Sequence, residues 1–169
     1  SSMNLINQRI GLVVGFVGVA VLSACGADRV DLVKVNYEIF TAQQIFERAE
    51  FDLARNDPDL AAQVFAEIER LYPYSEWAKR SVIMQAFSHH SAKNYEDSRA
   101  SAQRFIDFYP TDEDAAYAQY LLALSYYDQI DEVGRDQELT FDALQSLREV
   151  IERYPESEYS RSAKLKFEL

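Results

Sequence analysis

The sequence predicts an all-α fold, an α-solenoid of paired helices with about three repeats plus one extra helix. Three observations predict it. Glycine nearly vanishes after the first 25 residues, where only Gly26 and Gly134 remain. All four prolines, Pro58, Pro73, Pro110 and Pro155, stand at plausible helix boundaries. Three of them close matching phrases, Leu71-Tyr72-Pro73, Phe108-Tyr109-Pro110 and Arg153-Tyr154-Pro155, at spacings of 37 and then 45 residues. A recurrence of that length marks a repeat array, in which each helix pair buries its apolar face against its neighbours.

Apolar positions inside each repeat recur with helical spacing. Ala61, Phe65 and Ile68 precede Pro73; Ser98, Ala102 and Phe105 precede Pro110; Ala143, Leu147 and Val150 precede Pro155. Each triplet steps by four and then three residues and so forms one helix face. Ala78 and Ala115, then Ala86 and Ala123, follow the first two phrases and let paired helices approach closely. The first helix is predicted over about 41–55, with Thr41 as N-cap and Gln44 at the capping-box position. Asp57-Pro58 opens the second, which ends near Leu71. The third covers about 75–92 with Ser75 as candidate cap. Asn94 marks the next turn, and the fourth runs to Phe108. Thr111 or Asp112 caps the fifth, which continues to about Gln129; the sixth covers about 139–153, with Thr140 in its first turn. The longer second spacing exceeds the first by eight residues, and Ile130 to Glu138, around Gly134, is the expected site of a longer loop. The seventh helix starts near Ser157 and still runs at Leu169 without a partner helix, which predicts a longer parent protein.

The front of the chain obeys other rules. Arg9 is the only charge before Asp28, and Ile10 to Leu22 is an apolar run of 13 residues. As a helix it rises only about 20 Å, short of the roughly 20 residues a bilayer core requires. Its size and flank are those of a signal-peptide core. The run ends in Leu22-Ser23-Ala24-Cys25, which resembles a bacterial lipobox: small side chains admit the peptidase, and the thiol accepts the acyl chain. Cys25 is the expected lipidation site, and each buried methylene of its lipid contributes about 0.8 kcal/mol to anchoring. In lipoproteins of this kind an aspartate just after the cysteine often retains the protein at the inner membrane. Gly26 stands there instead, which leans toward the outer membrane. The expected organisation is a lipoprotein signal peptide at 1–24, a lipidated tether and lead-in at 25–40, and the repeat domain at 41–169.

Composition narrows the function. The formal net charge of −11 argues against a nucleic-acid binder, which needs clustered positive charge. One cysteine excludes an intramolecular disulfide framework and any multi-thiolate metal site. His89 and His90 are adjacent, so on a helix they do not face each other. His89 falls at a repeat packing position. Glu113, Asp114, Asp131, Glu132, Asp136 and Glu138 are dense acids near loops, but no local motif selects a pair for acid–base work, and surface solvation explains them better. No phosphate-binding glycine loop or serine elbow appears. The expectation is no enzyme, no cofactor and no metal.

The pattern resembles tetratricopeptide repeats. Ala49, Ala86 and Ala123 fit the small residue wanted midway along the first helix of each repeat, and Ala61, Ser98 and Ala143 fit the second helix, with Ser98 a mild departure. Arg48 and Gln85 stand where an aliphatic residue is more usual. Residues 37–169 further resemble the N-terminal part of the BamD family of outer-membrane assembly lipoproteins. The supporting stretches are Tyr37-Glu38-Ile39-Phe40-Thr41-Ala42-Gln43-Gln44, the Leu71-Tyr72-Pro73-Tyr74-Ser75 corner, Arg135-Asp136-Gln137, and Tyr154-Pro155-Glu156-Ser157-Glu158-Tyr159. That resemblance implies about five repeats, of which the last two are absent here. It implies a periplasmic scaffold on the outer membrane with BamA and other β-barrel assembly machinery subunits as partners, the later repeats carrying much of the BamA contact. It also implies an early-repeat groove for unfolded outer-membrane β-barrel proteins. The alternative is a repeat lipoprotein adaptor for another cell-envelope complex, in peptidoglycan or division machinery.

Solenoid curvature creates an extended concave surface, and the repeat pattern puts Phe46, Arg80, Phe87, Tyr117, Tyr120 and Tyr127 near it. Tyrosines supply contact area and a polar handle at low ordering cost. They suit the aromatic-rich terminal segment of an unfolded barrel protein, and Arg80 suits its terminal carboxylate. Against this stands plain packing of one repeat on the next.

Overall fold

Seven α-helices follow a short 3-10 turn at Tyr37–Ile39: α1 (Ala42–Ala54), α2 (Pro58–Leu71), α3 (Glu76–Ser91), α4 (Tyr95–Phe108), α5 (Ala115–Val133), α6 (Gln137–Arg153) and α7 (Glu158–Phe167). The computed structural model describes residues 35–134 and 136–168, and no strand occurs among them. The expected signal peptide, Cys25 and most of the tether lie outside the described residues. The repeats belong to the unit Asn36–Leu169.

Each helix packs chiefly on its sequence neighbours, the order expected of a tetratricopeptide-like solenoid. The odd helices also touch one another, α1 on α3, α3 on α5 and α5 on α7, while no even pair makes a comparable contact. An array that closes on its odd side and opens on its even side curves toward the odd side.

The small consensus positions explain the close approach. Ala49, Ala86, Ala123, Ala61 and Ser98 are fully buried, and Ala143 nearly so. Ser98 tolerates its polar atom because its hydroxyl donates to the Ala86 carbonyl at 2.8 Å, across the α3–α4 junction. Burying that hydroxyl without a partner would be unfavourable. The packing columns also compensate in volume. Phe65 and Ile68 in α2 become Ala102 and Phe105 in α4, then Leu147 and Val150 in α6, and all six are fully buried. The large ring changes position between repeats 1 and 2, which keeps interior density without a void.

The helix ends follow local chemistry. Thr41 and Gln44 form the full capping box: the Gln44 amide donates to Thr41 Oγ1 at 3.2 Å and the Thr41 amide to Gln44 Oε1 at 2.9 Å. Asp57 caps α2 ahead of Pro58, Ser75 caps α3, and Ser157 caps α7. The three Tyr-Pro corners are near copies. Tyr72, Tyr109 and Tyr154 have φ/ψ of −132/55°, −132/53° and −130/54°, and each donates its amide four residues back into its helix. The turns within repeats 1 and 2 are also copies, with Asn56 and Lys93 both at φ 61°. In each, the next amide reaches five residues back, Asp57 to the Asp52 carbonyl and Asn94 to the His89 carbonyl.

Two expectations are corrected. No long loop separates α5 from α6; the connection is only 134–136, as short as those at 55–57 and 92–94. The extra residues lengthen α5 and α6 by three each relative to α3 and α4, and delay the start of α5 after Pro110 by two relative to α3 after Pro73. The sequence between Ile130 and Val133 carries no helix breaker, so the helix continues until Gly134, whose φ of 81° suits a residue without a side chain. Asp136 then caps α6 by accepting from the Glu138 and Leu139 amides. Nor is Thr111 or Asp112 the cap of α5: its N-cap is Asp114, whose side chain makes no capping bond. The Asp112 carboxylate instead accepts the Asp114 amide at 2.9 Å just ahead of the helix.

Candidate functional site

Equivalent positions on the odd helices lie 37 residues apart from α1 through α5 and 45 apart from α5 to α7, and two aromatic stations form on them. At the α1–α3 junction the Phe46 ring lies 5.1 Å from Phe65 and 5.0 Å from Trp77. Phe46 is only 2% exposed, so its ring belongs to the core and is not free to take a ligand. What reaches solvent is Arg80. Its guanidinium lies 4.8 Å from the Phe46 ring centre and 4.7 Å from that of Trp77. Such stacking is worth about 0.5–1 kcal/mol at an exposed site and preorganises the cation.

At the α5–α7 junction Tyr159 lies 5.3 Å from Tyr117 and 5.5 Å from Tyr120. Tyr120 occupies the register of Phe46, and Tyr159 that of Trp77. Burial, aided by Tyr159 and the Asp114 carboxylate, pushes the Tyr117 phenol up to about 12. Burial and then the adjoining Glu158 carboxylate raise Tyr159 as well. Both phenols therefore stay neutral at physiological pH and keep a hydrogen to donate.

The other two expected residues stand apart. Phe87, on α3, is 37% exposed. Tyr127 lies beneath Lys166, whose ammonium is 4.6 Å from the ring centre, beside a cavity of about 390 Å³ lined also by Ile130, Leu144 and Phe167. The structure thus joins Phe46 with Arg80 through Trp77, and Tyr117 with Tyr120 through Tyr159. Sequence reasoning missed both linkers. The signal was present, since each stands two residues after a capping serine, Ser75 or Ser157.

The polar departures from the repeat pattern carry structural work. Gln85 is buried and donates to Glu69, which also receives both terminal nitrogens of Arg104 at 2.8 and 3.2 Å. This network ties α2, α3 and α4 together. Arg48 packs over Asp52, which is fully buried and also meets Arg55 at 3.2 Å. His89 is partly buried, with its Nδ1 unpartnered among the described residues, and burial lowers its pKa. His90 instead meets Asp128 at 2.8 Å. Among the described residues no three His, Cys, Asp or Glu side chains converge on a common point.

Residues 40–169 match the model of the YfiO family, described as an outer membrane lipoprotein. The chain belongs to the YfiO family. Three YfiO-like relatives carry the name outer membrane protein assembly factor BamD. The protein from Caulobacter vibrioides is 39% identical over 79% of this chain and 44% of its own length. That from Rickettsia prowazekii is 38% identical over 64% of this chain and 43% of its own length. That from Xylella fastidiosa is 24% identical over 72% of this chain and 45% of its own length. The chain spans less than half the length of these relatives.

Proposed function

We propose that this chain works in the assembly of outer-membrane proteins, as a non-catalytic periplasmic scaffold held at the outer membrane by a lipid on Cys25. The relatives' shared name, outer membrane protein assembly factor, supports the process, and the family description supports the lipoprotein character. The signal peptide, the tether and the repeat domain divide as 1–24, 25–40 and 41–169. BamA and the other assembly subunits are the proposed fixed partners, and unfolded β-barrel proteins the proposed substrates.

One observation carries the substrate reading: the odd-helix face holds a stacked, exposed cation at Arg80 and a tyrosine cluster two odd helices further along. A stacked guanidinium receives a terminal carboxylate. A tyrosine cluster receives an aromatic side chain with little ordering cost.

Photocrosslinkers placed at Arg80, Tyr117 and Tyr120 in the full-length protein test this in cells. Capture of barrel precursors is expected at all three positions. Capture of fixed assembly subunits alone removes the substrate role, and capture of no other protein removes the surface. Cys25 is tested separately: the wild-type protein should carry acyl mass on its N-terminal cysteine, and Cys25→Ser should leave the membrane fraction.

A further inference from the structure

Large aromatic side chains stand exposed at the edge of the solenoid where α2 hands over to α3 and α4 to α5. Tyr74 is 101% exposed and Phe108 is 73% exposed. They are not isolated. Phe108 lies 6.4 Å from Tyr109, and Tyr109 shares with Pro73 and Tyr74 the wall of a shallow cleft of about 320 Å³ between the first two corners. The cleft continues over Ser75, Glu76 and Lys79. Folding gains almost nothing from leaving Tyr74 and Phe108 in water, and contiguous exposed apolar surface marks interaction sites.

Charge narrows the occupant. Lys79 is neutralised by Asp112 at 2.8 Å. The Glu76 and Asp114 carboxylates also act on that ammonium, and Glu113 stands exposed beside them. The cleft edge is therefore acidic, and it favours a cationic partner. Two tyrosines, Tyr74 and Tyr109, and Pro73 are among its lining residues. Aromatic-walled shallow grooves suit the preformed polyproline II conformation, whose flat rings pack between aromatic side chains without an ordering cost.

We propose that the Tyr74–Tyr109 cleft docks an extended, proline-bearing, basic segment of a partner protein. A proline ring sits between the two tyrosines, and flanking arginine or lysine side chains meet Glu76 and Glu113. This surface lies at the helix handover edge and does not use the Arg80 or tyrosine stations.

The test uses the full chain and fluorescein-labelled peptides of repeated Pro-Leu-Pro-Arg, with a Pro-Leu-Pro-Glu twin. Anisotropy should report binding of the arginine peptide at least tenfold tighter than its glutamate twin. Tyr74→Ala should weaken it at least tenfold; this side chain is fully solvated, so the fold is retained. Glu76→Lys should weaken it several-fold and steepen the response to the glutamate peptide. Tyr117→Ala and Arg80→Ala should leave it unchanged, which separates this site from the substrate face. Equal binding of the two peptides, no binding of either, or an unaffected Tyr74→Ala variant overturns the proposal.

Discussion

The α1–α3 and α5–α7 junctions are built at the same register and reach opposite chemical ends. At the first, Phe46 is closed between Phe65 and Trp77, and only the Arg80 cation is offered to solvent. At the second, Tyr120 takes the place of Phe46, Tyr159 that of Trp77 and Ser162 that of Arg80, while Tyr117 joins from one turn earlier on α5. The α3–α5 junction between them carries Ile83 and Asp114 at those places. A repeat position therefore fixes where a side chain sits in the array. Its burial differs from junction to junction: Phe46 and Ile83 are buried, whereas Tyr120 stays partly in water.

Truncation breaks this comparison most strongly. Phe46→Ala should lower stability by about 3–5 kcal/mol, as for a fully enclosed ring. Tyr120→Ala should cost only about 1–2 kcal/mol, because that ring stays partly in water. Chemical denaturation of the two variants measures the difference. Equal losses would show that the two junctions are energetically alike.

The tyrosine station has an alkaline signature. A phenol raised to about 12 in the folded chain contributes stability in full below the ordinary tyrosine value, about 10. That contribution is lost as pH rises from there through about 12, since the unfolded chain ionises first. Absorbance titration should show a late-titrating phenol. Tyr159→Ala should bring Tyr117 down toward the ordinary value by exposing it and removing its neighbour. A titration unaffected by Tyr159→Ala would mean that the two rings are not in contact.

Between the stations, α3 supplies an acid-side response. Burial lowers the His89 pKa, so its neutral form is favoured by folding. Its contribution is present above the ordinary histidine value and is lost as pH falls from there through the lowered one. His89→Gln should flatten the fall in thermal stability as pH drops below the ordinary histidine value, about 6.5. An unchanged slope would assign it to carboxylates instead. The smallest effect belongs to the solvent-facing cation: Arg80→Ala should cost about 0.5–1 kcal/mol while leaving the Trp77 fluorescence maximum near its original position. A large loss would show that Arg80 is part of the core.

Much of this architecture was legible in the residues. Thr41 with Gln44, Asp57-Pro58, Ser75 and Ser157 each mark a helix start through a bond between near neighbours, so sequence order alone places them. The triplets ending in Ile68, Phe105 and Val150 mark the buried stripes for the same reason: helical period is local. The region around Gly134 was less legible. A length excess states that residues are added, but a loop and two longer helices satisfy the same count. Helix propagation to Val133 decided between them.

The stations were only half legible. Register put Phe46, Arg80, Tyr117 and Tyr120 on one set of faces, but could not say that Trp77 would close over Phe46 or that Tyr159 would gather two tyrosines. It also left Gln85 as an unexplained polar residue, although Glu69 and Arg104 satisfy it from two other helices. By itself the sequence determined helix starts, buried faces and repeat phase, because each follows from interactions within a few residues. The tertiary structure alone decided which exposed group each face presents, because that depends on contacts between residues some 15 to 40 apart, set by how the odd helices stack.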